Sequence, residues 1–269
     1  HLTRVGITCA LCHSTVDNAF APGIGHRLDG WPNRDLNVGA IVALSPALPA
    51  DKKAVYNSWG PGMYDPRFNF DGKSMPVVIP PAFGLRDVRL EIYTGDDTVS
   101  YWNAYVGITQ MHGHGTFVDQ RIGVSIHNPP ENLTRGKLAA LRAYQFSLGK
   151  PAPGTFDAAA AARGQAVFTG AGTCSSCHVG ATFTDVNGLK LHSPAEVGQD
   201  AAYAARSVTK MYRTTPLRGL YHPPQLQGPY FHDGHAKTLA EVVDHYVTKR
   251  GLALTAQQKT DLVEYLKSL

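Results

Sequence analysis

All four cysteines of the chain fall in two copies of one pattern, Cys9-Ala10-Leu11-Cys12-His13 and Cys174-Ser175-Ser176-Cys177-His178. Such a pattern constrains folding severely, because one tight turn must present two thiols and an imidazole to a single bound group. C-x-x-C-H is the attachment pattern of c-type haem: the thiols form thioethers with the porphyrin vinyls, and the histidine lies under the ring as proximal iron ligand. Two other readings use the same residues. A thioredoxin-like redox pair normally has no following histidine and sits in a βαβ pattern, whereas a four-cysteine zinc site needs the two pairs brought together. Two copies, both followed by histidine and with no cysteine left over, favour two covalently bound haem c groups. Cys9, Cys12 and His13 would hold haem 1, and Cys174, Cys177 and His178 haem 2.

Haem c is attached outside the cytoplasmic membrane, so a periplasmic or otherwise exported protein is expected. The chain starts at His1 with no visible signal peptide, and an export segment outside this numbering is expected. Few residues precede Cys9 where a cytochrome c fold usually has part of a helix, so further N-terminal residues are also expected. A net charge of +4 spread over 269 residues gives no nucleic-acid signal, and the longest apolar stretch, from Val38 to Leu48, is too short to span a bilayer.

The breaker-rich stretch Gly149-Lys150-Pro151-Ala152-Pro153-Gly154 divides the chain near residue 150. We expect a mainly α protein of two cytochrome c-like haem domains, 1–150 and 151–269, with long irregular loops. Each half ends in a segment of helical periodicity, Leu133 to Leu148 and Thr255 to Leu269, with Thr134 and Thr255 as N-caps. The alanine run between Asp157 and Phe168 predicts the helix leading into the second motif. A weak repeat relates Met75 to Val106 and Met211 to Val247, each passing from a proline-containing piece through an aromatic and a Gly-Asp turn into a helix. Between Gly30 and Lys73 the richness in Pro, Gly and Asn predicts loops with little regular structure.

The string GPYFHDGHAKTLAEVVDHY, preceded by Thr215-Pro216-Leu217-Arg218, resembles the C-terminal haem domain of bacterial di-haem cytochrome c peroxidases and MauG-type enzymes. Gly23-Ile24-Gly25-His26 is similar to the segment that supplies a releasable distal histidine in that family. The resemblance covers essentially the whole chain, and it implies electron transfer between two haems, with hydrogen peroxide as a substrate of the enzymes. It also breaks at telling places. The family's reactive N-terminal haem is served by a glutamate acting in acid-base work. Here the corresponding stretch is Thr109-Gln110-Met111-His112-Gly113-His114, with no glutamate, and Tyr93-Thr94-Gly95 replaces a turn that often starts with tryptophan.

Three residues compete for the distal side of haem 1. Met111 follows a helix bearing Tyr101, Trp102 and Tyr105 and ranks first; His26 matches the family's releasable ligand; Met75 has a suitable spacing after His13 and precedes a proline. For haem 2, Tyr246 stands where the peroxidases carry a ligand methionine and MauG a ligand tyrosine. His245 is the chemically easier ligand, since imidazole need not first lose a proton near pH 10. Adjacent helical residues point about 100° apart, so only one of the two faces the iron. Arg218 suits a haem propionate through its planar fork. The resemblance places His232 off the iron and near the boundary between domains. It also implies a calcium ion, with Asn33, Gln227 and Pro229 in similar places. His112, His114, His127, His192, His222 and His235 read as loop or surface residues. The function expected is single-electron transfer between redox-partner proteins, the alternative being a hydrogen peroxide reductase or MauG-like oxidase.

Overall fold

The computed structural model describes residues 6–129 and 132–269. The helix remnant expected before Cys9 concerns residues that lie in part outside that range. Contacts divide the chain into two compact units: one runs to Phe83 and resumes over Ser100–Leu148, the other comprises Gly84–Val99 and Gly149–Leu269. The architecture is mainly helical, with short antiparallel strand pairs and long loops.

In the first unit the Cys9–Leu11 turn runs straight into β1 (Ser14–Val16), which pairs with β2 (Arg27–Asp29) in the register Ser14↔Asp29. The loop between them is closed by Asp17, whose carboxylate accepts from the backbone N–H of Ala19 at 2.9 Å and of His26 at 2.8 Å. Next come α1 (Val38–Ala43) and α2 (Ala50–Asn57), then β3 (Met63–Tyr64), α3 (Phe68–Asp71) and β4 (Val77–Val78).

The expectation of little regular structure between Gly30 and Lys73 is therefore corrected. Its breakers sit at element ends: Asn37 caps α1 by accepting from Ala40 N–H at 2.9 Å, and Pro49 precedes the first turn of α2. Between those ends, Ala43, Tyr56, Trp59 and Phe68 form a buried cluster with edge-to-face rings 4.7 to 5.7 Å apart. Gly39 lets the two helices touch, since a Cβ there would lie 2.0 Å from the Tyr56 carbonyl oxygen.

The helix α4 (Val99–Tyr105) widens into π-helical turns over Val106–Gln110 and is followed by the hairpin β5 (Gly115–Asp119) and β6 (Val124–Asn128). Tyr105, fully buried, donates to the Pro66 carbonyl at 2.8 Å, and the Asn128 amide holds the π segment by donating to Ile108 O at 2.9 Å. The unit ends in α5 (Leu138–Ser147). Thr134 does not cap it as expected, because its hydroxyl donates to the His114 carbonyl at 2.9 Å and a 3-10 turn over Arg135–Lys137 intervenes.

The second unit opens with α6 (Ala158–Thr169), capped by the Asp157 carboxylate on Ala159 and Ala160. After two short helices, α7 (Pro194–Val197) and α8 (Ala201–Ala205), come α9 (Leu239–Arg250), capped by Thr238, and α10 (Ala256–Lys267), whose start is the expected Thr255 in a reciprocal capping box with Gln258. Helices α6 and α10 cross at Gly164, where a Cβ would stand 2.0 Å from the Asp261 carbonyl oxygen. One residue away, Arg163 holds the Asp261 carboxylate bidentately at 2.9 and 2.7 Å. Val167, Phe168, Leu239, Val243, Leu262, Leu266 and Leu269 form the core. Segment Gly84–Val99 is tied into this unit by Arg213, which meets Glu91 at 3.4 Å and donates to the Leu90 carbonyl at 3.0 Å. Among the described residues no helix is long and apolar enough to cross a membrane.

Candidate haem-binding sites

Each C-x-x-C-H motif folds as one 3-10 turn whose last residue is anchored twice. In the first unit His13 N–H donates to Cys9 O at 3.0 Å, and its Nδ1 donates to the Pro80 carbonyl at 3.1 Å. In the second, His178 N–H donates to Cys174 O at 3.0 Å and its Nδ1 to the Phe183 carbonyl at 2.9 Å. A ring nitrogen held on a carbonyl must carry the proton, so Nε2 keeps the lone pair that a metal needs. Burial lowers the pKa of His13, and it takes that of His178 down to about 4, so both imidazoles are neutral near pH 7. The four thiols are free, and burial raises Cys12 and Cys174 to about 11 each. Two unpaired thiols beside one neutral, oriented imidazole are the donor set that haem c requires, and the residues present fit that group.

Around Cys12 the structure gathers two polar side chains that the sequence pattern did not single out. The Tyr64 hydroxyl donates to Gln110 Oε1 at 2.5 Å, and the Gln110 amide donates onward to Thr109 Oγ1 at 2.9 Å. Burial pushes the Tyr64 hydroxyl well above its usual range, with Tyr56 and then Cys12 adding to the effect. Gln110 belongs to the stretch that corresponds to the acid-base glutamate of the family the chain resembles. It offers an amide, which cannot exchange a proton near neutral pH.

Met111, next to it, is half-buried at the end of the π segment, with its N–H on Val106 O at 3.0 Å. Met75, also half-buried, donates its N–H to the buried Asp65 carboxylate at 2.7 Å, on the strand path leading to Pro80. His26 sits on the outer loop with its side chain 70% exposed and Nδ1 on Asp17 at 2.8 Å. Asn33 uses its amide on the Leu11 carbonyl at 3.1 Å, leaving Oδ1 as its oxygen donor. Gln227 turns its amide toward Pro224 O at 3.4 Å, and Pro229 follows a cis peptide bond.

In the second unit the two rival residues of α9 diverge. The His245 Nε2 donates to the Val197 carbonyl at 2.9 Å, and its ring packs on Phe231 with centroids 4.7 Å apart. Tyr246 lies instead beside the motif. Burial pushes its hydroxyl up to about 12; the Arg250 guanidinium opposes this, and the thiols of Cys177 and Cys174 add to it. Arg250 itself reaches Cys177 Sγ at 3.8 Å. Arg218 spends its fork on backbone carbonyls, on Gly84 at 2.8 Å, Arg86 at 3.1 Å and Ala181 at 3.3 Å, so a propionate would have to share it. His232 is buried, with Nδ1 facing Gln199 Oε1 at 3.1 Å.

His192 is not a surface residue. It is almost fully buried between two carboxylates, Nε2 at 3.0 Å from Asp185 and Nδ1 at 2.8 Å from Glu196, and the ligating atoms of Cys177, Asp185 and His192 lie within 4.8 Å of one another. The Asp185 carboxylate raises the pKa of His178 against the larger effect of burial. The i,i+4 spacing of His192 and Glu196 across the Ser193 cap of α7 was the one available sequence signal. Removing the ring strips Asp185 of a buried partner, so His192→Leu is expected to cost about 1–3 kcal/mol in denaturant unfolding. An unchanged midpoint would show the pair to be idle.

Two thiol pairs with oriented imidazoles in a mainly helical chain fit the donor sets of one class, the di-haem c-type cytochromes. Within that class the chain resembles the cytochrome c peroxidase and MauG-like proteins. It is 26% identical over 304 aligned residues to "Methylamine utilization protein MauG" of Methylorubrum extorquens, covering 100% of this chain and 74% of that one. It is 32% identical over 185 residues to "Hydrazine synthase subunit gamma" of Kuenenia stuttgartiensis, covering 52% of this chain and 50% of that protein. A solved structure described as a MauG-like protein associated with microbial copper homeostasis is 22% identical, covers 52% of this chain and 54% of its own, and has a TM-score of 0.38. No family model matches the chain.

Proposed function

We propose that this chain is an exported di-haem cytochrome c that passes single electrons between redox-partner proteins. The observation that carries the reading is the matched pair of proximal histidines, each with Nδ1 on a backbone carbonyl and Nε2 left for iron. Bound haem supplies reversible one-electron iron chemistry. Cys9, Cys12, Cys174 and Cys177 would hold the two rings through thioethers, and His13 and His178 would each offer Nε2 to an iron. Tyr246 is the favoured second ligand of haem 2, because it faces Cys174 and Cys177 while His245 is held on Val197.

For haem 1, Met111 is the first candidate, with His26 and Met75 behind it. The exposed His26 needs a movement of its loop, and Met75 lies on the path to the proximal Pro80. The amide of Gln110, held by Tyr64, supports a relay over peroxide cleavage, which needs a proton-transferring group.

A MauG-like oxidase or peroxide reductase is the second reading. It is favoured by the tyrosine at position 246 and by the similarity to MauG, which spans this chain and 74% of that protein. The two separate by carbon monoxide binding to the fully reduced protein. A relay with both irons six-coordinate binds none, and Met111→Ala then opens haem 1 to near-stoichiometric binding. Rapid carbon monoxide binding and peroxide reaction by the unmodified protein would sink the relay. An unchanged spectrum in the variant would remove Met111.

A further inference from the structure

We propose that His235 and His245 form a binding site for a borderline divalent transition-metal ion, represented by zinc, outside both haem motifs. Their ring centroids are 5.5 Å apart with planes at 44°. A tetrahedral ion with metal–nitrogen bonds of about 2.0–2.1 Å places two ligating imidazole centroids on the order of 5 Å apart, close to that separation.

Each ring has one nitrogen held by a partner, as a metal-bound histidine does. A metal-bound histidine almost always donates its other N–H to a carboxylate or a backbone carbonyl, which fixes the tautomer and raises the basicity of the free nitrogen. His235 Nδ1 meets Asp233 Oδ1 at 2.6 Å, leaving Nε2; His245 Nε2 donates to Val197 O at 2.9 Å, leaving Nδ1. One Phe231 ring braces the pair, stacked on His235 at 4.5 Å and 8° and against His245 at 4.7 Å. Gly198 makes room for the His245 edge, since a Cβ there would stand 3.0 Å from its Nε2. The His235 and Asp233 side chains are 42% and 43% exposed, so an ion can enter from solvent with water completing its shell. Two imidazole nitrogens suit zinc and its neighbours rather than calcium or magnesium, which take oxygen.

The inference rests on the reading that Tyr246, and not His245, faces the haem 2 iron. Calorimetric titration of the haem-loaded protein with zinc chloride is expected to show one saturable site that His235→Ala weakens at least tenfold. Asp233→Asn, which keeps both rings, is expected to weaken it by about tenfold or more through the lost orienting bond. It serves if the alanine variant fails to fold. Tyr246→Phe should leave zinc binding intact while changing the haem 2 spectrum. No saturable binding, or equal binding in wild type and both site variants, overturns the proposal. If His245→Ala rather than Tyr246→Phe abolishes the low-spin haem 2 signal, the underlying ligand assignment fails instead.

Discussion

Gly164→Ala is expected to destabilise the second unit by about 3 kcal/mol, the upper part of the range for overpacking a close contact. The added methyl would stand 2.0 Å from the Asp261 carbonyl oxygen and 2.9 Å from Tyr265 Cβ. Carbon and oxygen cannot approach so closely, and the nearest obstacle is backbone, so α6 and α10 must separate by more than an ångström. Separation stretches the Arg163–Asp261 fork and loosens Val167 and Phe168 against Leu262 and Leu266. Phe168 also packs near the proximal ring, 6.2 Å from His178 between centroids, so the haem 2 visible spectrum should broaden as the midpoint falls. A variant with an unchanged unfolding midpoint would mean that the helices do not cross there in solution.

Tyr246→Phe should convert haem 2 from low-spin to high-spin essentially completely by low-temperature electron paramagnetic resonance, while His245→Ala leaves that signal in place. Phenylalanine keeps the ring that packs near Phe231, at 5.9 Å, and removes only the oxygen. The phenol sits where burial opposes its ionisation, up to about 12, so it becomes a good ligand only with a cation directly against it. Arg250 is one cation on that side, and the iron of a bound haem would be the other. An untouched signal in Tyr246→Phe excludes the tyrosine whatever happens at His245.

Much of this was legible along the chain because it depends on local chemistry. The two C-x-x-C-H turns, the Thr255 capping box and the helix after Asp157 need only neighbours a few residues away. Where partners come from afar, local reading failed in specific ways. Thr134 resembles an N-cap, yet its hydroxyl goes to His114, twenty residues upstream. The 30–73 region reads as loop because its breakers are conspicuous, while the buried cluster of Tyr56, Trp59 and Phe68 that orders it has no periodic signature. His192 looked like a loop histidine because nothing in one strand of text shows Asp185 folding back onto its Nε2.

Residue identity and spacing determined the two C-x-x-C-H motifs, the thiols and imidazoles they offer to a haem, and the resemblance to MauG-like proteins. Those features lie within a few adjacent residues. Tertiary structure decided which carbonyls orient the proximal rings, Pro80 and Phe183, and which residue of the pair 245–246 turns toward the cysteines. It also brought Gln110 against Tyr64 and His235 against His245. The physical reason is range: attachment chemistry is written in adjacent side chains, whereas ligand orientation, proton availability and metal geometry depend on groups that only the packed chain brings within a few ångströms.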